Sequence, residues 1–575
     1  MAGTVALRPR VAAEGGLLRR LLSGRNLIIL AVVAIVGYLG AVPLGFLLWQ
    51  TFVRGGALTF ANFRGAYNDV GIGEMMVNSL TFAIGSTLVS LTIGSVLAYL
   101  IVRTDVPGKP LMFAASLVPL IIPGILHTIA WVFILDPNIG IANKWFIQPL
   151  TGGHAFNVFS LPGMIVIEGL HLAPLVFLLM VAALRSMDPS LEESAIMSGA
   201  SLPTVFRKIT LPLVKPALYA GALIMIVRGL ESFEVPAVVG LRNHIWVYTS
   251  RIWQTLNDAV PNYGKAGAYA MTLLALTAIG VWFQSRLQKR DRSFQTVTGK
   301  GFRPHPVRLG AWRIPATAFI ILYFLVAVVL PVLVLVYAST QQFYAPPSHY
   351  TLSHMTLHNY VEEWHEPVLR HAVLNSLYLG VGAATAVMLL TAIASWVVVR
   401  THLPGRWLVD NLAFMPLTIP GLVLGVALLV VYVRIPIGIY GTLWILLIAY
   451  MTRFLPYGMR YSSTSMFQIG RELEESAQMS GAGWWHTFRR VLLPLLWPGL
   501  LAGWIYIVIV SFRELGASVL LYSPGKEVLS IVIWEQWRDG LLTEVSALGV
   551  MLIGALVVLV AIAYKLGARI GVKEA

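Results

Sequence analysis

The chain has 575 residues, 57% of them hydrophobic and 12% charged, with no cysteine and a formal net charge of +15. A soluble protein is about one-quarter charged, so a soluble globular domain is excluded, and the missing cysteines exclude disulfides, thiolate catalysis and Cys-based metal sites. The positive charge does not point to nucleic acid, because Lys and Arg cluster between long apolar runs, where cytoplasmic loops of membrane proteins hold them.

In chain order, residues 1–26 carry Arg8, Arg10, Arg19, Arg20 and Arg25 and resemble the basic start of a signal peptide. The apolar run behind them is too long for a signal core and lacks a small-residue cleavage site, so it reads as a retained first span. A helix crosses a hydrocarbon core about 30 Å thick in about 20 residues. Runs of that kind predict spans at 27–52, 76–102, 111–135, 159–184, 213–240 and 266–284. After a basic, turn-rich linker at 285–313, a second set is predicted at 314–339, 372–399, 408–433, 437–461, 495–521 and 544–566, with a tail at 567–575. The fold class is therefore all-α polytopic membrane protein, with halves 27–284 and 314–566. Arg103/Lys109, Arg207/Lys208, Arg400/Arg406 and Arg489/Arg490 fall on the linker's side, and Glu362, Glu363 and Glu366 on the other. Basic loops stay inside, which predicts both termini in the cytoplasm.

The second half repeats the first. "NSL" at 78–80, "VRT" at 102–104 and "IPG" at 122–124 recur 297 residues later. "LEESAIMSGASLPTVFRKITLPLVKP" (191–216) recurs 282 residues later as "LEESAQMSGAGWWHTFRRVLLPLLWP" (473–498), with 15 identities in 26. Six spans per half is an even number, so the halves enter the membrane in the same sense. They are expected to be related by a pseudo-two-fold along the membrane normal, with a pathway between them. Each copy of the segment lies between the fourth and fifth spans of its half. Its pattern predicts a short helix stopped at Gly199 or Gly481, because a left-handed helix end favours glycine. A second short helix then restarts, with Pro203 suited to its first turn, and both lie on the membrane surface.

The pattern Glu-Ala-Ala, three residues, Gly, then nine residues to Ile-x-Leu-Pro resembles the signature loop of type I ABC importer permeases. Here it reads Glu193-Ser194-Ala195, Gly199, Ile209, Leu211-Pro212, and again Glu475-Ser476-Ala477, Gly481, Val491, Leu493-Pro494. The serines and Val491 depart mildly from it. The resemblance covers about 74–284 and 371–566, as two permease domains fused in one chain, and is nearest to iron(III) permeases, with thiamine, phosphonate and polyamine systems as relatives. It implies a bacterial inner-membrane subunit whose two loops dock a homodimeric ABC ATPase, fed by a periplasmic or extracellular solute-binding protein. ATP and Mg would be used by the partner. The chain itself is expected to bind no cofactor and to be no enzyme, since "SPGKE" (523–527) lacks the spacing and Ser/Thr of a phosphate loop. Two rivals are weighed. A gradient-driven secondary transporter also suits six-plus-six spans but has no need of matched docking loops. A membrane enzyme would need a metal-ligand cluster or a nucleophile arrangement that the sequence does not offer.

Charges inside spans are costly and usually functional or paired. Span five holds Arg228, Glu231 and Glu234, expected close to one helical face, and span eleven holds Arg513 and Glu514. Span four holds Glu168 and His171, the latter at the repeat position of Arg453. Glu168, His171, Glu231, Glu234, Arg453 and Glu514 are the candidates for a polar translocation pathway, against the alternative of interhelical ion pairs such as Arg228–Glu231. Pro123-Gly124 and Pro420-Gly421 are expected to break their helices. No metal site is expected.

Overall fold

The computed structural model describes residues 24–54, 56–188, 190–291, 306–435 and 437–569. Most of the N-terminal segment, the middle of the linker and most of the tail lie outside the described residues. Among those described the chain is a helical bundle, with one two-stranded ribbon, Val53–Arg54 with Ala57–Leu58, after the first helix.

Among the described residues nine helices are long and apolar enough to cross a membrane. In the first half they are Gly24–Phe52, Ile72–Arg103, Leu161–Ser186, Leu202–Glu231 and Tyr263–Arg286, and in the second Gly310–Ser339, Pro367–Arg400, Trp484–Ser511 and Leu542–Ala563. Two bent pairs supply the third and ninth elements: Lys109–Leu120 with Gly124–Leu135, at 95°, and Arg406–Thr418 with Gly421–Arg434, at 110°. The tenth, Leu443–Gln468, is 26 residues long but carries Arg453 and Arg460, which dilute its apolarity. The twelve predicted elements are thus present, but the third and ninth are not straight crossings. Pro123 and Pro420 stand just before the second member of each pair, in extended conformations with φ −56°, ψ 138° and φ −54°, ψ 141°. Proline disfavours the helical region for the residue before it, so each pair turns there.

Three boundaries differ from expectation. The fifth span ends at Glu231 rather than 240, and the eleventh at Ser511 rather than 521. Each leads into a non-helical break and then a short helical turn, Pro236–Gly240 or Ser518–Leu521. Apolar content continues across both breaks, and a hydropathy window cannot see them. The tenth span begins at Leu443 rather than 437, capped by the Thr442 hydroxyl accepting from the Trp444 N–H.

The repeat is visible in individual contacts. The serines of the two "NSL" copies each accept from the first backbone N–H of an equivalent helix, Ser79 Oγ from Tyr248 at 3.0 Å and Ser376 Oγ from Leu529 at 2.9 Å. The halves also interlock. The first span packs Val32, Val36 and Leu39 against Leu390, Val409, Ala413 and Met459 of the second half. Gly40 meets the backbone of Leu412 so closely that a Cβ there would lie 2.5 Å from its carbonyl oxygen. In the reciprocal direction, Gly310–Ser339 packs on Gly124–Leu135, and Tyr344 beyond it donates to the Phe133 carbonyl at 2.6 Å.

Candidate functional site

Two places gather the predicted residues: a duplicated surface turn and a cavity between the halves. In the turn, helix Ser190–Met197 ends at Gly199 (φ +86°) and helix Glu472–Met479 at Gly481 (φ +82°). The Ala200 N–H reaches the Ala195 carbonyl at 3.0 Å and the Gly199 N–H the Ile196 carbonyl at 2.9 Å. Ala482 and Gly481 repeat this on Ala477 and Gln478 at 3.1 and 2.9 Å. This pairing closes a helix through a left-handed residue, and it assigns roles to Ala195, Gly199, Ala477 and Gly481. Exposed Asp188 accepts from the Ser190 N–H at 2.9 Å, and the Ser190 hydrogen bonds hold its carboxyl below the usual range.

The expected second surface helix is not separate, which corrects the sequence reading. Helix restarts at Leu202 or Trp484 and runs unbroken into the fifth or eleventh span. It passes through a wide turn, Phe206–Thr210 or Phe488–Leu492, where the Leu211 and Leu493 N–H groups reach back five residues to Phe206 and Phe488. Pro212 and Pro494 follow directly, and a proline inside a helix removes a hydrogen bond and crowds the preceding turn. The widened turn makes room, so Leu-Pro shapes the entry into a span instead of ending a helix. Outward, the turns present Met197 and Met479, 89% and 90% exposed. Glu193 is half-buried, whereas Ser194, Glu475 and Ser476 are exposed.

The cavity has a volume of about 270 Å³ and is lined by both halves. All six pathway candidates line it: Glu168, His171, Glu231, Glu234, Arg453 and Glu514. Arg228 and Arg513 do as well. Arg228 lies 3.7 Å from Glu231, the predicted pair, and donates to Tyr457 at 3.2 Å. Arg453 bridges the halves, 3.7 Å from Glu231 and 3.9 Å from Glu514. Ser232 donates to buried Glu168 at 3.0 Å.

The broken spans explain several of these charges. Gly124 and Gly421 begin the second helix of each bent pair, and a Cβ on them would lie 1.8 Å from Glu234 Oε2 and 3.2 Å from Glu514 Oε1. Each carboxylate therefore rests against a helix start, whose free N–H groups and dipole favour negative charge. Arginines serve the opposite ends. Arg453 donates to the Ile419 carbonyl at 2.7 Å, and Arg513 donates to the Leu120 carbonyl. Glu234 does not share a helical face with Arg228 and Glu231, because the chain breaks at 232–233. Sequence reasoning passed over Tyr457, Tyr506 and Ser232 in the lining. It also passed over buried His127, whose ring stands 5.3 Å from that of His171. Their proximity depends on long-range packing; only the position of Tyr457, one helical turn past Arg453, hinted at it. Among the described residues no group of three or more His, Asp or Glu side chains is placed to hold a metal ion.

Against known proteins, the family described as binding-protein-dependent transport system inner membrane component matches residues 71–293 and 388–570. The Fe(3+)-transport system permease protein FbpB 2 of Haemophilus influenzae is 24% identical over 486 residues, 84% of this chain and 88% of that protein. The ferric transport system permease protein FbpB of Actinobacillus pleuropneumoniae is 26% identical over 405 residues, 69% of this chain and 57% of its own length. A putative 2-aminoethylphosphonate transport system permease protein, PhnV of Salmonella paratyphi A, is 28% identical over 272 residues, 46% of this chain and 97% of that protein. Among solved structures, a bacterial ABC transporter importing the acidic polysaccharide alginate aligns over 48% of this chain and 99% of the matched chain, at 19% identity and TM-score 0.41.

Proposed function

Because the chain belongs to the family of binding-protein-dependent transport system inner membrane components, we propose that it docks two ATPase subunits through Glu193–Gly199 and Glu475–Gly481 and passes iron(III) between its halves. The coarse assignment is direct: it is a multi-pass permease of an ABC importer. The docking reading rests on one observation, the near-identical geometry of the two turns, down to the exposed Met197 and Met479. An ATPase dimer offers two equivalent grooves, and one chain with two equivalent turns on one face meets both. Hydrolysis belongs to that partner, and a solute-binding protein delivers the cargo on the opposite face. Both termini lie with the turns in the cytoplasm.

Iron(III) is the preferred solute because the relatives carrying that name extend over both halves of the chain. A second reading, an aminophosphonate, is favoured by the relative that matches one half along nearly its full length and by three guanidiniums in the cavity lining. Such a zwitterion suits a cavity holding both signs of charge.

The test of docking is co-purification in nanodiscs with candidate ATPase subunits. Met197→Asp with Met479→Asp changes two exposed side chains and should abolish capture while the chain stays folded. Capture unaffected by both changes defeats the docking reading. Uptake in membranes free of any ATPase assigns the chain to gradient-driven carriers. Uptake of radioactive iron(III) against labelled aminophosphonate separates the two solutes.

A further inference from the structure

A pair of buried charges sits behind each turn, outside the six pathway candidates and the exposed docking face. Arg103 is the last residue of the second span and is 6% exposed. Its guanidinium donates to the Met187 carbonyl at 3.2 Å, immediately after the fourth span, and lies 3.7 Å from Glu192 on helix Ser190–Met197. Arg400, the last residue of the eighth span, donates to the Ile469 carbonyl immediately after the tenth span and lies 2.8 Å from Glu474 on helix Glu472–Met479. Arg400 follows Arg103 by 297 residues, and Ile469 and Glu474 follow Met187 and Glu192 by 282, the two offsets of the repeat.

The carboxylates keep an additional donor in both halves, but not the same one. Thr210 donates to Glu192, whereas its counterpart Leu492 cannot. In the second half Trp396 Nε1 donates to Glu474 at 3.3 Å, where the first half has Tyr99. The two halves have diverged at these donor positions and still satisfy the same buried carboxylate. A planar guanidinium presents several donors in a fixed fork and so holds both partners in one geometry, which the flexible, rotating donors of a lysine do less well. A buried charge left without its partner is strongly unfavourable, so the three elements are held as one body.

We infer that Arg103–Glu192 and Arg400–Glu474 are positioning pairs: each locks its surface helix to the cytoplasmic ends of two spans, so that a displacement of that helix moves those spans. The inference rests on the docking reading for its functional consequence, but the lock is measurable without any ATPase. Hydrogen exchange on the nanodisc-embedded chain is followed at 190–199 and 472–481. Glu192→Gln keeps shape and loses charge; it should speed exchange of 190–199 at least ten-fold and leave 472–481 unchanged. Glu474→Gln should do the reverse. Unchanged exchange in both overturns the lock. With a captured ATPase, the double variant should retain capture and basal hydrolysis, while stimulation by loaded binding protein falls at least ten-fold. Stimulation unchanged in a chain whose helices exchange fast overturns the positioning role. A wild-type chain that captures no ATPase overturns docking instead, while the exchange result still decides the lock. Arg103→Lys and Arg400→Lys, which keep charge without the fork, should each speed exchange of their own helix relative to the native chain.

Discussion

Gly124→Ala should be more damaging than Gly421→Ala, although the two glycines occupy equivalent helix starts. A methyl at 124 would lie 1.8 Å from Glu234 Oε2 and 3.2 Å from His171 Nε2, whereas at 421 its nearest neighbour is Glu514 Oε1 at 3.2 Å. The second contact yields to a few tenths of an ångström of side-chain movement. The first demands more, because the end of the half-buried Glu234 side chain must swing away from the helix start. It then forfeits a charge–dipole interaction of about 1 kcal/mol, up to about 2 where partly buried. The loss is about 1–2 kcal/mol for Gly124→Ala, against under about 1 kcal/mol for Gly421→Ala by the same reasoning. Reversible unfolding by SDS titration in mixed micelles reads both differences. Adding Glu234→Ala removes the clashing atoms, so the double variant should recover most of the loss specific to Gly124→Ala. Equal losses at the two glycines, or no recovery in the double variant, would refute the placement of Glu234 against the third span's helix start.

Gly199 and Gly481 have open space where a Cβ would go, so replacing them costs only backbone strain, about 1–2 kcal/mol each; valine at both should fray 190–199 and 472–481 in hydrogen exchange, and asparagine should be tolerated better. Glu234→Gln and Glu514→Gln keep shape and lose charge; if these are pathway groups, solute flux drops with stability held, and if they are structural partners of the helix starts, the SDS midpoint falls first. Glu363, on helix His358–His365 outside the spans, is pushed from 4.5 to about 7 by burial and then by Glu544, Glu366 and Glu362, with the Gln536 amide opposing. The folded chain holds that proton more tightly, so about 3 kcal/mol of stability is present below pH 4.5 and lost as pH rises through 7; Glu363→Gln should flatten the profile between pH 5 and 8. A cysteine at exposed Ser480 should react with a membrane-impermeant reagent only after cells are opened.

Much of this molecule was readable from its sequence, for identifiable reasons. Long apolar runs report crossings because a bilayer demands them, and the repeat offsets report equivalence regardless of packing. Gly199 and Gly481 were found because the left-handed backbone leaves few alternatives to glycine. The breaks after Glu231 and Ser511 were not, because Phe233, Val235 and Leu515 keep the sequence apolar while the backbone leaves the helix. A second surface helix separate from the fifth span was expected because a widened turn has no sequence signature. The Arg103–Glu192 pair joins residues far apart in the chain, and only overlaying the two offsets, 297 and 282, would have exposed it through Arg400–Glu474. The six pathway candidates were chosen as charges in apolar surroundings, and one cavity collects them all. The seating of Glu234 and Glu514 against the helix starts at Gly124 and Gly421 depends on a bend of about a right angle.

The interlocked first and seventh spans impose an order on biosynthesis. The face carrying Val32, Val36 and Leu39, and the notch at Gly40, enters the bilayer before the ribosome has made the eighth to tenth spans that cover them. Through most of translation that face contacts lipid or an insertion factor, and its final partner arrives only after the linker has been threaded. Closing the first half is therefore a late event, and a nascent chain arrested in the linker displays an uncovered helix surface for membrane proteases to find. The cover of the first helix is supplied only by the last third of the polypeptide.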